Sequence, residues 1–129
     1  MTDGTTQTRG HNKQNEITSI SGATTPTYDA NGNLTKDETG RTFKYDSWNR
    51  LVEVKNSGGT TLANYKWDGI GRRVRETRGA TTTDLYYSDQ WQVIEERVGS
   101  ATTMSFVWSP VYVDAMICRA TATPMATAA

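Results

Sequence analysis

The heptad Tyr28-Asp29-Ala30-Asn31-Gly32-Asn33-Leu34 opens a pattern that returns along the chain. An aromatic-Asp pair is followed, a few residues later, by Gly or Asn, a polar residue and an aliphatic residue. Further copies are Tyr45-Asp46-Ser47-Trp48-Asn49-Arg50-Leu51 and Trp67-Asp68-Gly69-Ile70-Gly71-Arg72-Arg73-Val74, and degenerate copies start at His11, Tyr87 and Trp108. The starts are 17, 17, 22, 20 and 21 residues apart. Such a period predicts a repeat architecture, in which no single unit buries its own apolar face.

Each copy of the motif predicts a turn. Its fifth position is Gly32, Asn49 or Gly71, and Gly and Asn tolerate the left-handed backbone conformation. The Asp that follows the aromatic residue can accept hydrogen bonds from backbone N–H groups of the turn. We therefore expect the structural positions of the repeat to be Tyr28, Asp29, Gly32 and Leu34, then Tyr45, Asp46, Asn49 and Leu51, and then Trp67, Asp68, Gly71 and Val74.

Between the motifs, apolar residues alternate with polar ones at a period of two. Ala63, Tyr65 and Trp67 share one face, as do Phe43 and Tyr45, and this pattern predicts half-buried strands that are wet on one side. Glycine-containing segments separate the strands as a second kind of turn. These segments are Asp37–Gly40, Asn56–Gly59, Arg78–Ala80 and Val98–Ser100. The predicted fold is all-β, an antiparallel meander with two strands and two turns in each repeat.

The repeats occupy residues 15–119 in this interpretation. Residues 1–14 have no apolar period and are expected to form a disordered N-terminal segment. Residues 120–129 are mostly Ala and Thr and are expected to form a low-complexity tail.

Composition excludes several classes of function. Lys+Arg and Asp+Glu number 14 each, so the chain has no basic surplus for nucleic acid. Cys118 is the single cysteine, which rules out an internal disulfide and a zinc cluster, and free cysteines are usually buried or half-buried. No apolar run is long enough to span a membrane, and the first 20 residues lack the apolar core of a signal peptide.

The Tyr-Asp-x-x-Gly/Asn-Arg/Asn-Leu unit resembles the YD repeats of the Rhs family. The late segments Trp91–Arg97 and Tyr112–Asp114 resemble the region that leads towards the Rhs-associated core. The resemblance implies a segment of a very large secreted or surface-associated protein, whose repeats coil as one β-sheet into a hollow shell. In polymorphic toxins that shell encloses a toxin domain, whereas other relatives are wall-associated or teneurin-like. Carbohydrate binding has also been attributed to such repeats.

The chain departs from the family pattern in two respects. It is too short to close a shell, and it lacks the later Asp-Pro-x-Gly core segment at which the toxin is released by self-cleavage. Autoproteolysis and a toxin payload are therefore not carried over. We expect the chain to be a fragment, a truncated gene product or a degenerated copy.

Catalytic and metal-binding candidates are weak. The segment that begins at Asp29 lacks the Gly and Glu that a helix-loop-helix calcium site needs, so it is interpreted as a turn. His11 is the only histidine and lies where other repeats have Tyr or Trp. Glu95 and Glu96 are neighbours on one strand and point to opposite faces, so we expect one of them to pair with Arg97 or a cross-strand Arg. We predict no enzyme activity, no cofactor and no metal.

Two binding candidates remain. The run Arg72–Arg78 is the one basic cluster and could hold a polyanion, although charges on a strand edge also discourage unwanted pairing. Trp48 lies inside a turn, away from the repeat positions, and is the best candidate for an exposed sugar platform.

The sequence leaves three functions to compare. The chain is a structural segment of a YD-repeat shell or wall-associated protein, a small carbohydrate- or surface-binding β module, or an enzyme. We favour the first, with further repeats of a longer chain as partners and cell-surface carbohydrate as a second possible partner. Neither nucleic acid nor a membrane span is expected, and the parent protein is expected to be secreted or on the cell surface.

Overall fold

The computed structural model describes residues 6–121, which form twelve β-strands and no helix. The strands are β1 (Arg9–His11), β2 (Ile17–Ile20), β3 (Thr27–Tyr28), β4 (Leu34–Lys36), β5 (Thr42–Tyr45), β6 (Leu51–Lys55), β7 (Thr61–Trp67), β8 (Arg73–Arg78), β9 (Thr81–Tyr87), β10 (Val93–Val98), β11 (Ala101–Trp108) and β12 (Met116–Thr121). The predicted all-β class is confirmed. Within this part of the chain no helix is long and apolar enough to cross a membrane.

The strands pair with their neighbours in the sequence. Strands β1 and β2 form a two-stranded antiparallel sheet, and β3 to β12 follow chain order in a ten-stranded sheet. Each described pairing is antiparallel. The predicted antiparallel meander is therefore confirmed, and every connection along it is a local turn.

The chain divides into two compact units, one up to Asn64 and one from Tyr65. In the first unit, β5 pairs with β6 through Phe43 opposite Val54. In the second, β8 pairs with β9 through Arg75 opposite Asp84. Both units are built from the same element, two strands joined by a tight turn.

Burial alternates along the strands, as a period of two predicts. In β7, Ala63 is buried between the exposed Leu62 and Asn64, and in β9 Leu85 is buried beside the exposed Tyr86. The described apolar side chains that are buried are Ile20, Ala63 and Leu85. The sheet therefore has one apolar face that the described residues leave largely uncovered.

Glycines form the turns between the motifs. Gly40, Gly59, Gly79 and Gly99 all have positive φ, at 83°, 85°, 56° and 62°. Arg78 pairs with Thr81, so the loop that contains Gly79 has only two residues, which is the short hairpin that glycine favours. The loop that contains Gly99 is of the same length.

Three expectations about the ends of the chain need correction. Strand β1 lies within the segment that we expected to be disordered, because its backbone pairs with β2 without any apolar period of its own. Strand β12 extends to Thr121, two residues into the expected tail, and residues 1–5 and 122–129 lie outside the described residues. Cys118 is exposed, not buried or half-buried, because it lies on β12, where every residue is exposed.

Gly32 and Lys36 provide a test of the turn. We expect Gly32→Val to lower the free energy of unfolding by about 1–2 kcal/mol, because φ is +82° at this position and a side chain disfavours that conformation. Lys36→Val, in the extended strand β4, should cost less. Urea titration and the yield of soluble protein measure both variants, and equal losses would contradict the turn.

Candidate functional site

The repeat motif folds as a five-residue turn that its Asp side chain holds together. In Asp29–Asn33, the Asp29 N–H donates to the Asn33 carbonyl at 2.9 Å and the Gly32 N–H donates to the Asp29 carbonyl at 3.1 Å. Asp29 Oδ1 accepts hydrogen bonds from the N–H groups of Asn31 and Asn33, both at 2.9 Å. The carboxylate thus binds two backbone N–H groups that the turn would otherwise leave to solvent.

The same bonds recur in other turns. Asp46 Oδ1 accepts from the N–H groups of Trp48 and Arg50 at 2.9 and 3.0 Å. Equivalent turns are Asp68–Arg72, Asn12–Glu16, Asp37–Arg41, Asn56–Thr60 and, with a serine hydroxyl, Ser88–Gln92. The Asp37 and Asn56 turns therefore have the same form as the motif turns. We had expected them to be a second kind of turn.

The fourth residue of each turn has a left-handed backbone. Gly32, Asn49 and Gly71 have φ of 82°, 61° and 93°. Asn15 and Trp91 occupy the same place, at 64° and 66°. Trp91 is unusual, because a bulky side chain seldom adopts positive φ and the strain is of order 1–3 kcal/mol.

Four aromatic residues that lie directly before a turn, Tyr28, Tyr45, Tyr87 and Trp108, reach back to the preceding motif turn. We call the residue directly after such a turn the corner, and the hydrogen bond to its backbone the ring–corner bond. The Tyr45 hydroxyl donates to the carbonyl of Leu34, the corner of the Asp29 turn, at 3.1 Å. The Tyr28 hydroxyl accepts from the N–H of Ile17, the corner of the Asn12 turn, at 3.1 Å.

The second unit repeats this contact. The Tyr87 hydroxyl donates to the Arg73 carbonyl at 2.7 Å. Trp108 Nε1 donates to the Val93 carbonyl at 2.7 Å. Each ring therefore satisfies its polar end on the backbone of the repeat before it, while the ring itself packs half-buried on the sheet.

These corners correct one repeat position. Leu34 and Leu51 directly follow their turns and begin strands β4 and β6. In the third copy the equivalent residue is Arg73, which begins β8, and not Val74. The Asp29, Asp46 and Asp68 turns each have five residues, so matching the copies by their aliphatic residue placed the last position of the third copy one residue too late.

Hydrogen bonding keeps the turn carboxylates ionised. The side-chain amide of Asn33, and then backbone N–H groups, lower the pKa of Asp29 below its ordinary value of 3.8. Desolvation raises the pKa of Asp46, but hydrogen bonds from the Arg50 backbone and guanidinium and from the Trp48 backbone outweigh it and lower the pKa. Such carboxylates are poor general acids at neutral pH, because a general acid needs a raised pKa.

Turn side chains also bind one another. In the first unit, Asn49 Oδ1 accepts from Asn31 Nδ2 at 3.0 Å and from Asn33 Nδ2 at 2.8 Å. The polar side chains of two successive motif turns are thereby joined to each other and not presented to a ligand.

In the second unit a stacked arginine makes the equivalent link. The Arg72 guanidinium lies 5.3 Å from the Tyr87 ring centroid and 5.7 Å from that of Trp91. Arg72 Nε also donates to Asp68 Oδ2 at 2.7 Å, so the cation is held both by its own turn and by the next motif turn.

The exposed tryptophans Trp48 and Trp91 lie on the turns. Trp48 is 75% exposed, and the Arg50 guanidinium lies 5.1 Å from its ring centroid. The role of Trp48 as a sugar platform stays a prediction. Trp91 is 55% exposed and was missed as a candidate. When Ser88–Gln92 is aligned with the Asp29 turn, Trp91 falls at the position of Gly32. That alignment would have identified Trp91 as a candidate.

The basic run has acidic partners. Arg75 pairs with Asp84 at 2.5 Å across the two strands, and Arg73 pairs with Glu76 at 3.3 Å. Arg78 also binds Glu76. With Arg72 bound to Asp68, these charges are largely neutralised within the sheet, which does not favour a polyanion site.

The remaining candidates form no reactive cluster. His11 is exposed at the end of β1, in the ring position before the Asn12 turn. Glu95 accepts from Arg97 Nε at 2.7 Å and also binds Thr102, so the expected Glu–Arg97 pair is present. Across residues 6–121, no group of three His, Cys, Asp or Glu side chains is placed to hold a metal ion.

Comparison with known proteins finds a match for part of the chain. A family model described as RHS Repeat matches residues 11–61. The match begins at His11, in the ring position of the first hairpin, and ends at the first residue of β7. No curated protein matches the chain.

The ring–corner bond can be tested by removing one hydroxyl. We expect Tyr45→Phe to lower the free energy of unfolding by about 0.5–1.5 kcal/mol, because the Leu34 carbonyl loses its donor. Tyr112→Phe is the matched control, since Tyr112 is 72% exposed in a turn. Denaturant titration compares the two variants, and equal stabilities would argue against the bond.

Proposed function

Because a family model described as RHS Repeat matches residues 11–61, we propose that the chain is a non-catalytic structural segment of a large secreted or cell-surface Rhs/YD-repeat protein. The parent would be the β-shell of a polymorphic toxin or a wall-associated protein. In this role the chain contributes strands and corners to a sheet that further repeats continue.

The ring–corner bond carries this proposal. Tyr45 and Tyr87 complete their hydrogen bonding only on the backbone of the preceding repeat. A repeat is therefore incomplete without a neighbour, which is the behaviour of arrays whose stability comes from contacts between units.

The uncovered face supports the same conclusion. Ile20, Ala63 and Leu85 are the buried apolar side chains of the described residues, so the strands do not enclose a core of their own. An apolar face of this kind needs a cover, and in a longer repeat protein further turns of the sheet would supply it.

The polar groups favour a structural role over catalysis. The carboxylates of Asp29, Asp46 and Asp68 bind the backbone of their own turns. Arg75 and Arg97 are paired with acidic side chains. These side chains stabilise local structure, and none of them is placed beside a partner that would activate it as a nucleophile.

The isolated chain should accordingly be only marginally stable. We expect a broad thermal transition by circular dichroism, together with binding of a dye that reports exposed apolar surface, because too little surface is buried to offset chain entropy. A sharp, cooperative transition of the isolated monomer without dye binding would contradict a segment that depends on neighbours.

A small carbohydrate- or surface-binding β module is the second candidate, favoured by the exposure of Trp48. Its indole projects from a turn and carries the Arg50 guanidinium near one face, which leaves surface for stacking on a sugar ring. Binding to a glycan array that is lost in Trp48→Ala and kept in Trp91→Ala would support this function. No binding by the native chain would remove it.

A further inference from the structure

The Asp29 turn contains the single Asn-Gly pair of the sequence, Asn31-Gly32. In such a pair the backbone nitrogen of the second residue can attack the side-chain amide carbon of the first. Glycine leaves this approach unhindered, because it has no Cβ. Both residues are exposed, so water reaches them. The turn therefore places a reactive pair of groups in contact with solvent.

Hydrogen bonds engage both reacting groups in the folded turn. The Gly32 N–H donates to the Asp29 carbonyl at 3.1 Å, and the Asn31 N–H donates to Asp29 Oδ1 at 2.9 Å. Asn31 Nδ2 donates to Asn49 Oδ1 at 3.0 Å. The Asn31 side-chain amide is thus fixed on the next motif turn.

Other asparagines lack this combination of features. Asn33 precedes Leu34, a bulky residue that hinders the approach of the backbone nitrogen. Asn56 precedes the smaller Ser57, and its amide oxygen accepts hydrogen bonds from the backbone of its own turn. Asn31 combines an unhindered neighbour with an amide that a different turn holds.

We propose that Asn31 is a site of spontaneous deamidation, and that the hydrogen bond from its side chain to Asn49 controls the rate. While this bond is made, the amide stays on the next motif turn. When the bond opens, the side chain rotates towards the Gly32 nitrogen. This modification site goes beyond the structural role proposed above and does not depend on it.

The reaction consumes only water. The Gly32 nitrogen forms a bond to Cγ of Asn31 and gives up its proton, while the bond between Cγ and Nδ2 breaks and the side-chain nitrogen leaves as ammonia. Water then opens the resulting five-membered imide. The product is an aspartate at position 31 or its isomer, in which the main chain runs through the side-chain carboxyl carbon.

The product changes the charge between successive turns. Asn31 and Gly32 line a polar hollow together with Glu16 and Asp29, and Glu16 Oε1 lies 3.5 Å from the place that a Cβ on Gly32 would occupy. A carboxylate at position 31 is a third acidic group in this hollow, and it cannot donate to Asn49 as the amide does. Deamidation therefore loosens the Asp29 turn from both of its neighbours.

Two substitutions of Asn49 test the control of the rate. Asn49→Gly tolerates the left-handed backbone, at φ 61°, and removes the acceptor, whereas Asn49→Asp keeps an acceptor oxygen. Each full chain is incubated at neutral pH and digested with trypsin, and mass spectrometry of the peptide Gln14–Lys36 follows the conversion of Asn31. Conversion should be roughly twofold to tenfold faster in Asn49→Gly than in the native chain. Asn49→Asp should keep close to the native rate.

Asn56 is the reference for general unfolding. A variant that simply unfolds more often should deamidate faster at both Asn31 and Asn56. In Asn49→Gly the ratio of conversion at Asn31 to conversion at Asn56 should rise, and circular dichroism should show the native strand content. An unchanged ratio would overturn the control by Asn49. Conversion at Asn56 but not at Asn31 in the native chain would remove the site.

A further pair of variants tests the consequence of the reaction. Asn31→Asp reproduces the charge of the product, whereas Asn31→Gln keeps the amide donor and closes an imide ring far more slowly. Asn31→Asp should unfold at a lower urea concentration than Asn31→Gln, and equal midpoints would overturn the proposed loosening. The thermal transition of the chain, which tests its structural role, is a separate measurement from each of these.

Discussion

The side-chain oxygen at the first position of each turn is the constraint on which the structure depends. Asp29 Oδ1 accepts two backbone N–H groups, and Asn56 and Ser88 do the same with an amide and a hydroxyl. A short polar side chain thus fixes where one strand ends and the next begins. The ring that precedes it is consequently aimed back along the sheet at a known backbone group.

These turn contacts supply much of the order that a hydrophobic core supplies in other domains. The interactions that join repeats are the ring–corner bonds, the amide cluster around Asn49 and the stacking of Arg72 on Tyr87 and Trp91. These are hydrogen bonds and cation–π contacts at turns, and each is modest in free energy. The stabilisation of the chain is spread over many equivalent contacts, as in a repeat array, and is not concentrated in one compact site.

The turns and strands could be predicted from the sequence because each depends on residues that lie close together in the chain. Gly32, Asn49 and Gly71 mark positive φ, and alternation around Ala63 marks the sheet faces. Trp91 was not recognised at the same position because its side chain gives no sign of a left-handed backbone. Arg73 was missed because the corner acts through its backbone carbonyl, which any residue can provide.

The ends of the chain and the candidate site were harder to predict for a different reason. Strand β1 is defined by its pairing with β2, and the exposure of Cys118 by its place on the last strand of the sheet. Both are properties of the array and not of the nearby residues. Trp48 could be placed on a turn from its position in the motif, but a ligand for it could not be derived from the same pattern.

The spacing between ring and corner has a consequence for how such chains change over time. Tyr45 lies 11 residues after Leu34, whereas Trp108 lies 15 residues after Val93, although both make the same bond. The extra length is taken up in longer strands towards the hairpin at the far end, beside Gly99. Insertions and deletions in this lineage should therefore accumulate more at those distal hairpins than in the motif turns, of which only Ser109–Ala115 departs from five residues among those described.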